Sequence, residues 1–318
     1  MLIFIVRNQK PLHMITWDPA AWLEFKKGCV GHAGAHQSRI LIWKNDLEVY
    51  REGGYTTSSG KDVILRADDT ASMLAGTRVY DAPFRLPDQP QADGGTQTGV
   101  GNVDCIELGR EAVLKGYNPV ILNFSGIDRP NGKVTQGYKA QEESICRRSD
   151  LARALSQYYT PEWASLVGVP HKGNRYPLDP LHGCVYTPGV TVFRTGESMG
   201  CALLDDPFRL SFISTGAIKK RDVADFGEDD TRITRERIRT VFRVGLDRGH
   251  DCLILGAWGC GAFRNPVDVM AGLFREVCDE PEFKDRYRAV WFACMQKETR
   301  NDPANGKFAP FYSLFGRL

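Results

Sequence analysis

The sequence predicts an α/β fold built as a three-layer α/β/α sheet, and three observations carry that expectation. Beyond about residue 101, segments that read as helix and strand alternate along the chain. The strand candidates are short, uninterrupted apolar runs, the pattern of strands covered on both faces. The 318 residues, 42% apolar and 25% charged, have the composition of a globular protein able to bury a substantial core.

Residues 1–38 carry Gly28, Gly31, Gly34 and the histidines His13, His32 and His36 without a sustained apolar period, and read as an N-terminal extension. His32 and His36 stand four apart, a spacing that would serve a metal on one helix face, but the glycines around them favour a surface loop. The opening run Met1-Leu-Ile-Phe-Ile-Val6 has no basic region before it and fails the order of a signal peptide, so it is expected to pack on the domain. From Arg39 to Tyr50 the positions Ile40, Leu41, Trp43, Leu47 and Val49 fit a helix ended by Gly53-Gly54. Pro83 to Gly101 is dense in Pro, Gln, Asp and Gly and predicts a linker or long surface loop. Residues 39–100 therefore read as a helical accessory portion with its linker, and 101–318 as the main domain. There the expected order is helix Cys105 to Lys115, strand Val120–Leu122, a helix from about Glu142 to Tyr158, and strands around Val185 and Thr191. Strand Leu210–Ile213, helix Thr231 to Asp247, strand Leu253–Leu255, helix Val267 to Cys278 and strand Ala289–Phe292 follow. On the Thr231 helix, Arg232/Glu236 and Arg235/Arg239 read as a solvated face.

Composition narrows the range of functions without excluding specific nucleic-acid binding. A formal net charge of +2, with no long block of like charge, writes no electrostatic nucleic-acid footprint. The apolar runs fall far short of the roughly 20 residues of a membrane span. Nine scattered cysteines, an odd number, suit a reducing cytosol or nucleus. There is no C-x-x-C, and the histidines do not join the cysteines at zinc spacing, so no structural metal is expected.

The chemistry concentrates in two places. Behind the apolar Cys252-Leu-Ile-Leu255 stands Gly256-Ala-Trp-Gly-Cys-Gly-Ala-Phe-Arg-Asn-Pro266, a glycine-rich turn feeding a helix, which presents free backbone N–H groups and a positive helix end to a phosphate or diphosphate. A dinucleotide fingerprint is the first reading of Gly259-Cys-Gly261, but Arg264 takes the third glycine's place and no second unit supplies a ribose-binding acid. A turn needed only for strand-to-helix packing is the second. Within it Trp258 suits stacking on an adenine or packing under the loop equally. Cys260 has no histidine nearby in sequence to make it a nucleophile. Upstream, Asn123-Phe124 opens into Ser125-Gly-Ile-Asp-Arg-Pro-Asn-Gly-Lys133 and then Gln141-Glu142-Glu143. Adjacent carboxylates at a helix start are commonly stabilised by its dipole alone. Behind a flexible Gly/Asn loop they also suit glycosidic cleavage, where a carboxyl protonates the leaving oxygen and then activates water.

Gly54-Tyr55, Val120-Ile-Leu-Asn-Phe124, Gly137-Tyr-Lys-Ala-Gln-Glu-Glu-Ser144, Val185-Tyr-Thr-Pro188 with Val192-Phe-Arg194, Ser211-Phe-Ile213 and Leu255 to Phe263 occur here in order. In that order the chain resembles the microbial-type poly(ADP-ribose) glycohydrolases, macrodomain enzymes with a helical N-terminal portion, over roughly residues 40 to 295. The resemblance implies a macrodomain-like three-layer α/β/α mixed sheet. It implies that Gly256, Trp258, Gly259, Cys260, Gly261, Ala262 and Phe263 wrap the ADP-ribose diphosphate, with Phe263 against the distal part of the ligand and Asn265 capping the helix. Glu143 matches the catalytic carboxylate, expected to be held protonated in a partly buried site, and Glu142 the partner that orients ribose hydroxyls. Asn123 and Phe124 border the cleft, and Gln141 belongs to the binding set. No cofactor is implied; the implied partner is ADP-ribose or an ADP-ribosylated protein.

The chain departs from the family where three consecutive glycines are expected. It reads Asn131-Gly132-Lys133 there, so a charged stem stands where close backbone approach is required, and Lys133 either grips a phosphate or blocks the groove. Arg129 replaces the usual Asn before Pro, and Asp128 adds a third candidate catalytic carboxylate. Three functional expectations follow: hydrolysis of ADP-ribosyl bonds at single units or chain ends, ADP-ribose binding without hydrolysis, and removal of ADP-ribose from arginine with Asp128 taking part.

Overall fold

The computed structural model of the chain describes residues 14–87, 94–295 and 306–318. The expectation for Met1 to Val6, and His13, lie outside the described residues. Helices α1 (Pro19–Gly28) and α2 (Gly31–Glu52) lead into the small strands β1 (Gly54–Thr56) and β2 (Asp62–Ile64), then α3 (Ala67–Gly76), β3 (Arg78–Tyr80), β4 (Gln97–Gly101) and α4 (Cys105–Leu114). There follow β5 (Pro119–Phe124), α5 (Gln141–Cys146), α6 (Leu151–Ser156), α7 (Pro161–Leu166), β6 (Cys184–Arg194), β7 (Leu203–Thr215), α8 (Glu228–Asp247), β8 (Cys252–Leu255), α9 (Val267–Cys278), β9 (Ala289–Ala293) and α10 (Phe308–Phe315). None of these helices is long and apolar enough to cross a membrane.

The central seven-stranded sheet runs in the order β3-β6-β7-β5-β8-β9-β4. β3, β6 and β7 pair antiparallel, and β7-β5-β8-β9-β4 is a parallel block. Alternation along each strand divides the core into two. Val120, Leu122, Leu253, Leu255, Val290 and Phe292 point to the side covered by α8, α9 and α10. Ile121, Cys252, Ile254, Ala289 and Trp291 point to the side covered by α3, α4, α5 and α6. The result is a mixed three-layer α/β/α sandwich with a helical N-terminal portion. Because β5, β7 and β8 are parallel, the loops after residues 124, 215 and 255 all leave the same sheet edge, the usual place for a ligand in an open α/β sheet.

Five local expectations are corrected. The extension is helical: Asp18 caps α1 by accepting from the N–H groups of Ala20 and Ala21 at 2.9 Å, with Pro19 at the first helical position. His32 and His36 lie within α2 rather than on a surface loop, their rings 6.5 Å apart. Gln97–Gly101, read as the end of a linker, is the edge strand β4, so the sheet takes strands from both sides of the division expected at residue 100. Its scarcity of side chains has a cause: a Cβ on Gly99 would lie 2.9 Å from a Leu318 methyl, so the C-terminus packs where side chains would stand. The helix expected from Glu142 to Tyr158 is broken between α5 and α6, because the chain there pairs with β6: Phe193 donates its N–H to the Arg148 carbonyl (2.9 Å) and Thr191 its own to Asp150 Oδ1 (2.7 Å). Finally, the Arg-rich face of α8 is not merely solvated. Arg235 and Arg239 reach across to Glu276 and Glu280 at 2.8 and 2.7 Å, tying α8 to the end of α9.

The N-terminal portion bears on the site. Trp43, Val49 and Tyr50 of α2 with Tyr55 and Val63 form a core shared with Val134, Cys146 and Ala152, which lie in and just after the carboxylate loop. Arg147, buried, donates to the Tyr138 carbonyl at 2.7 Å, and Glu197 accepts from Arg39 (2.7 Å) and Lys26 (2.9 Å) beside it. The loop carrying the candidate chemistry is thus clamped from below by α1 and α2.

Candidate active site

The first residue of α5 is consumed by the fold. Gln141 Oε1 accepts from the Phe124 N–H at 2.7 Å and its Nε2 donates to the Leu122 carbonyl at 2.9 Å, pinning the helix start to the end of β5. Both ends of its amide serve the backbone, and Nε2 also lies 3.5 Å from Cys105 Sγ. The pinned helix sets down Glu142 and Glu143, only 3% and 6% exposed, beneath the loop that follows β5.

The two carboxylates are held differently. Glu142 Oε1 accepts from Ser125 Oγ at 2.6 Å and from the Asn131 N–H at 2.9 Å. Glu143 Oε1 accepts from the Lys133 N–H at 2.9 Å, while its Oε2 is buried with no hydrogen-bond partner among the described residues. Burial pushes the Glu142 carboxyl up to about 8; the Ser125 hydroxyl opposes this and the neighbouring Glu143 charge adds to it. At neutral pH Glu142 therefore carries a proton.

That shift has a thermodynamic consequence. The folded chain takes up a proton that the unfolded chain, with an ordinary Glu value of 4.5, has released, so this contribution is complete below 4.5 and is lost as pH rises through about 8. Unfolding free energy is expected to fall with rising pH across that window, by up to about 1.4 kcal/mol per pH unit from this group. Denaturant titrations at pH 5, 6.5 and 8 on the wild type and on Glu142→Gln should show a slope difference of that sign; parallel curves would mean that Glu142 keeps its ordinary value.

The loop above the pair keeps a backbone cradle despite its altered side chains. Asn131, fully buried, adopts φ +65°, a left-handed conformation that Asn tolerates better than other non-glycine residues, and its Nδ2 donates to Ser156 Oγ at 3.0 Å. Gly132 has φ +50°, and a Cβ there would overlap Glu143 Oε1 and stand 2.8 Å from its Cδ. Lys133 sends its ammonium over the Tyr138 ring, 4.7 Å from the centroid, and that ring in turn lies 4.6 Å from the ring of His36. Its charge is thus directed to an aromatic partner on the loop and α2, not to the carboxylates.

The turn after β8 is the second wall. The N–H groups of Gly259, Gly261, Ala262 and Phe263 have no acceptor among the described residues, and Gly261 and Ala262 are exposed. Trp258, 1% exposed, packs beneath the turn 6.4 Å from Phe274, so of its two readings the structure has packing and no ring face for an adenine. Cys260 is no nucleophile: burial pushes its thiol up to about 12, and Sγ donates to the Trp258 carbonyl at 3.5 Å. Asn265 does not cap α9, whose cap position is Pro266. It donates instead to the Ile218 and Phe263 carbonyls at 2.6 and 3.1 Å, stitching the turn to the loop after β7. A Cβ on Gly256 would stand 2.7 Å from the Ala293 carbonyl oxygen and 3.1 Å from the Phe124 ring, and Phe263 is half-buried against the core.

The structure thus brings Glu142, Glu143, Asn131, Gly132 and Lys133 into direct contact. Asn123, fully buried, donates through Nδ2 to Ser214 Oγ at 3.0 Å and leaves Oδ1 without a partner among the described residues. Asp128 is exposed on the loop, with no hydrogen bond or ion pair to either glutamate. Ser125, which sequence reasoning passed over, is the side chain that holds Glu142. Its position directly after the last residue of β5, at the sheet edge where ligands bind, was the available signal.

Fold and site define a macrodomain-type sandwich with a paired-carboxylate centre and a free-amide turn at one sheet edge. Residues 44–195 match the family model described as the catalytic domain of microbial-type PARG, poly(ADP-ribose) glycohydrolase. The chain is similar to the poly(ADP-ribose) glycohydrolase of Thermomonospora curvata, with 28% identity, TM-score 0.71, and coverage of 88% of this chain and 100% of that one. A second structure of that enzyme, bound to the inhibitor ADP-HPD, gives 28% identity, TM-score 0.68 and coverage of 87% and 99%. The glycohydrolase of Deinococcus radiodurans in complex with ADP-ribose gives 27% identity, TM-score 0.59 and coverage of 78% and 97%. None of the curated proteins matches. In residues 44–195 and in its fold, the chain is similar to the microbial-type poly(ADP-ribose) glycohydrolases.

Proposed function

We propose that this protein removes ADP-ribose, as single units or chain ends, from modified macromolecules by hydrolysing the ribosyl bond. The observation that carries the reading is the asymmetry of the buried pair: Glu142 is engaged by Ser125 and Asn131, whereas Glu143 keeps one oxygen without a partner among the described residues. The engaged carboxyl orients ribose hydroxyls. The other is free to give a proton to the leaving oxygen as the C–O bond at the ribose anomeric carbon breaks, and then to take one from the water that attacks that carbon. The products are free ADP-ribose and the unmodified hydroxyl or side chain, and the carboxyl ends as it began. The amides of the turn after β8 receive the diphosphate, and the enzymes similar to this chain, one of them bound to ADP-ribose, support that placement. A cytosolic or nuclear location accompanies the reading, supported by nine cysteines that are all free.

The test is release of free ADP-ribose from poly(ADP-ribose) and from singly modified protein, followed by chromatography. Release from at least one substrate is expected. A chain that binds ADP-ribose yet releases none from either would be a reader, and the hydrolase reading would fall.

A further inference from the structure

We propose that Lys307, at the start of α10, is a diphosphate-binding residue of this site, an inference that rests on the ADP-ribose reading above. Among the described residues the turn after β8 offers four backbone N–H groups without an acceptor, and its one charged side chain, Arg264, is turned to the Arg221 carbonyl. Lys307 supplies a charge: its Nζ lies 3.3 Å from the position a Cβ on Gly261 would occupy, directly beside the exposed part of the turn. The lysine is anchored, because Phe311 and Phe315 of the helix it begins are buried against Phe292, with ring centroids 5.1 and 4.3 Å away.

Three other cations around the turn are committed elsewhere. Lys220 pairs with Asp230 at 2.6 Å, Arg264 donates to the Arg221 carbonyl at 2.6 Å, and Lys133 lies over Tyr138. Among the described residues the Lys307 ammonium has neither an ion pair nor a hydrogen bond. An unpaired ammonium set over a cluster of free amides is chemistry for a multiply charged phosphate, to which lysine binds as a point charge. Gly261 matters in this arrangement chiefly by leaving the space between turn and ammonium open.

The test is calorimetric titration of the full chain with ADP-ribose at low and high salt, for wild type, Lys307→Ala and Lys307→Arg, with thermal melts as folding controls. Lys307→Ala is expected to bind about tenfold more weakly, with a flatter salt dependence and an unchanged melt. Lys307→Arg should recover most of the affinity. Wild-type affinity in Lys307→Ala overturns the assignment to Lys307 and leaves the ADP-ribose reading standing. An arginine variant no better than the alanine assigns the loss to packing and overturns it as well. A wild type that does not bind ADP-ribose overturns both.

Discussion

Glu143→Gln is expected to lower ADP-ribose release by about 100- to 10,000-fold, the range a positioned general acid/base contributes. Affinity for ADP-ribose should stay within about threefold of wild type, because nothing assigned to the diphosphate is touched. The amide matches the carboxyl in shape, and its oxygen still accepts the Lys133 N–H now bonded to Oε1 at 2.9 Å, so the loop stays in place. What disappears is the capacity to carry a proton to and from the atom that has no partner among the described residues. Single-turnover release beside calorimetric binding separates the two effects. Retained turnover would move the chemistry to another residue, and lost binding would give Glu143 a structural role instead.

Gly132→Ala should be nearly as damaging, by a different route. At φ +50° a Cβ is strained, and here it would overlap the carboxylate of Glu143 and approach Glu142 Oε2 to 3.2 Å. Neither glutamate can retreat: both are buried, and each is held by a backbone N–H of this same loop. The loop must lift, and the two N–H donors lift with it. A displacement of that kind is expected to cost about 100-fold in turnover, and the overpacking about 1–3 kcal/mol of stability. Gly272 in α9 is the control, since a Cβ there meets nothing within 4 Å and Gly272→Ala should leave both turnover and melting temperature near wild type. Equal behaviour of the two alanine variants would refute the steric account.

The parts of the fold that were legible in the sequence are those whose burial repeats locally. Val120-Ile-Leu122, Leu253-Ile-Leu255 and Ala289-Val-Trp-Phe292 are apolar on both faces because helices cover both faces, and their neighbours α8 and α9 carry long amphipathic patterns. The parts that were not legible depend on distant chain. β4 reads as a linker because Leu318 packs where its side chains would stand. The helix after Glu143 breaks because Ser149 and Asp150 meet β6, some forty residues on.

The candidate site divides in the same way. The glycine turn and the adjacent carboxylates are contiguous, so residue type and spacing alone drew attention to them. Charge drew attention to Asp128 too, which the fold leaves exposed, and away from Ser125, which the fold sets against Glu142 at 2.6 Å. Gln141 and Trp258 look like ligand contacts when read with their neighbours, yet one is spent on the end of β5 and the other on Phe274.

By itself the sequence determined that this chain forms a layered α/β sheet, carries a turn rich in backbone N–H groups and sets two glutamates side by side at a helix start. Only the tertiary structure decided which glutamate is engaged and which keeps an open oxygen, that burial raises the Glu142 carboxyl to about 8, and that Lys307 comes to lie beside Gly261, forty-six residues before it. The reason is physical. Backbone conformation and residue chemistry are local properties of a few neighbouring residues, whereas desolvation and the choice of hydrogen-bond partner depend on every group the folded chain brings around one point.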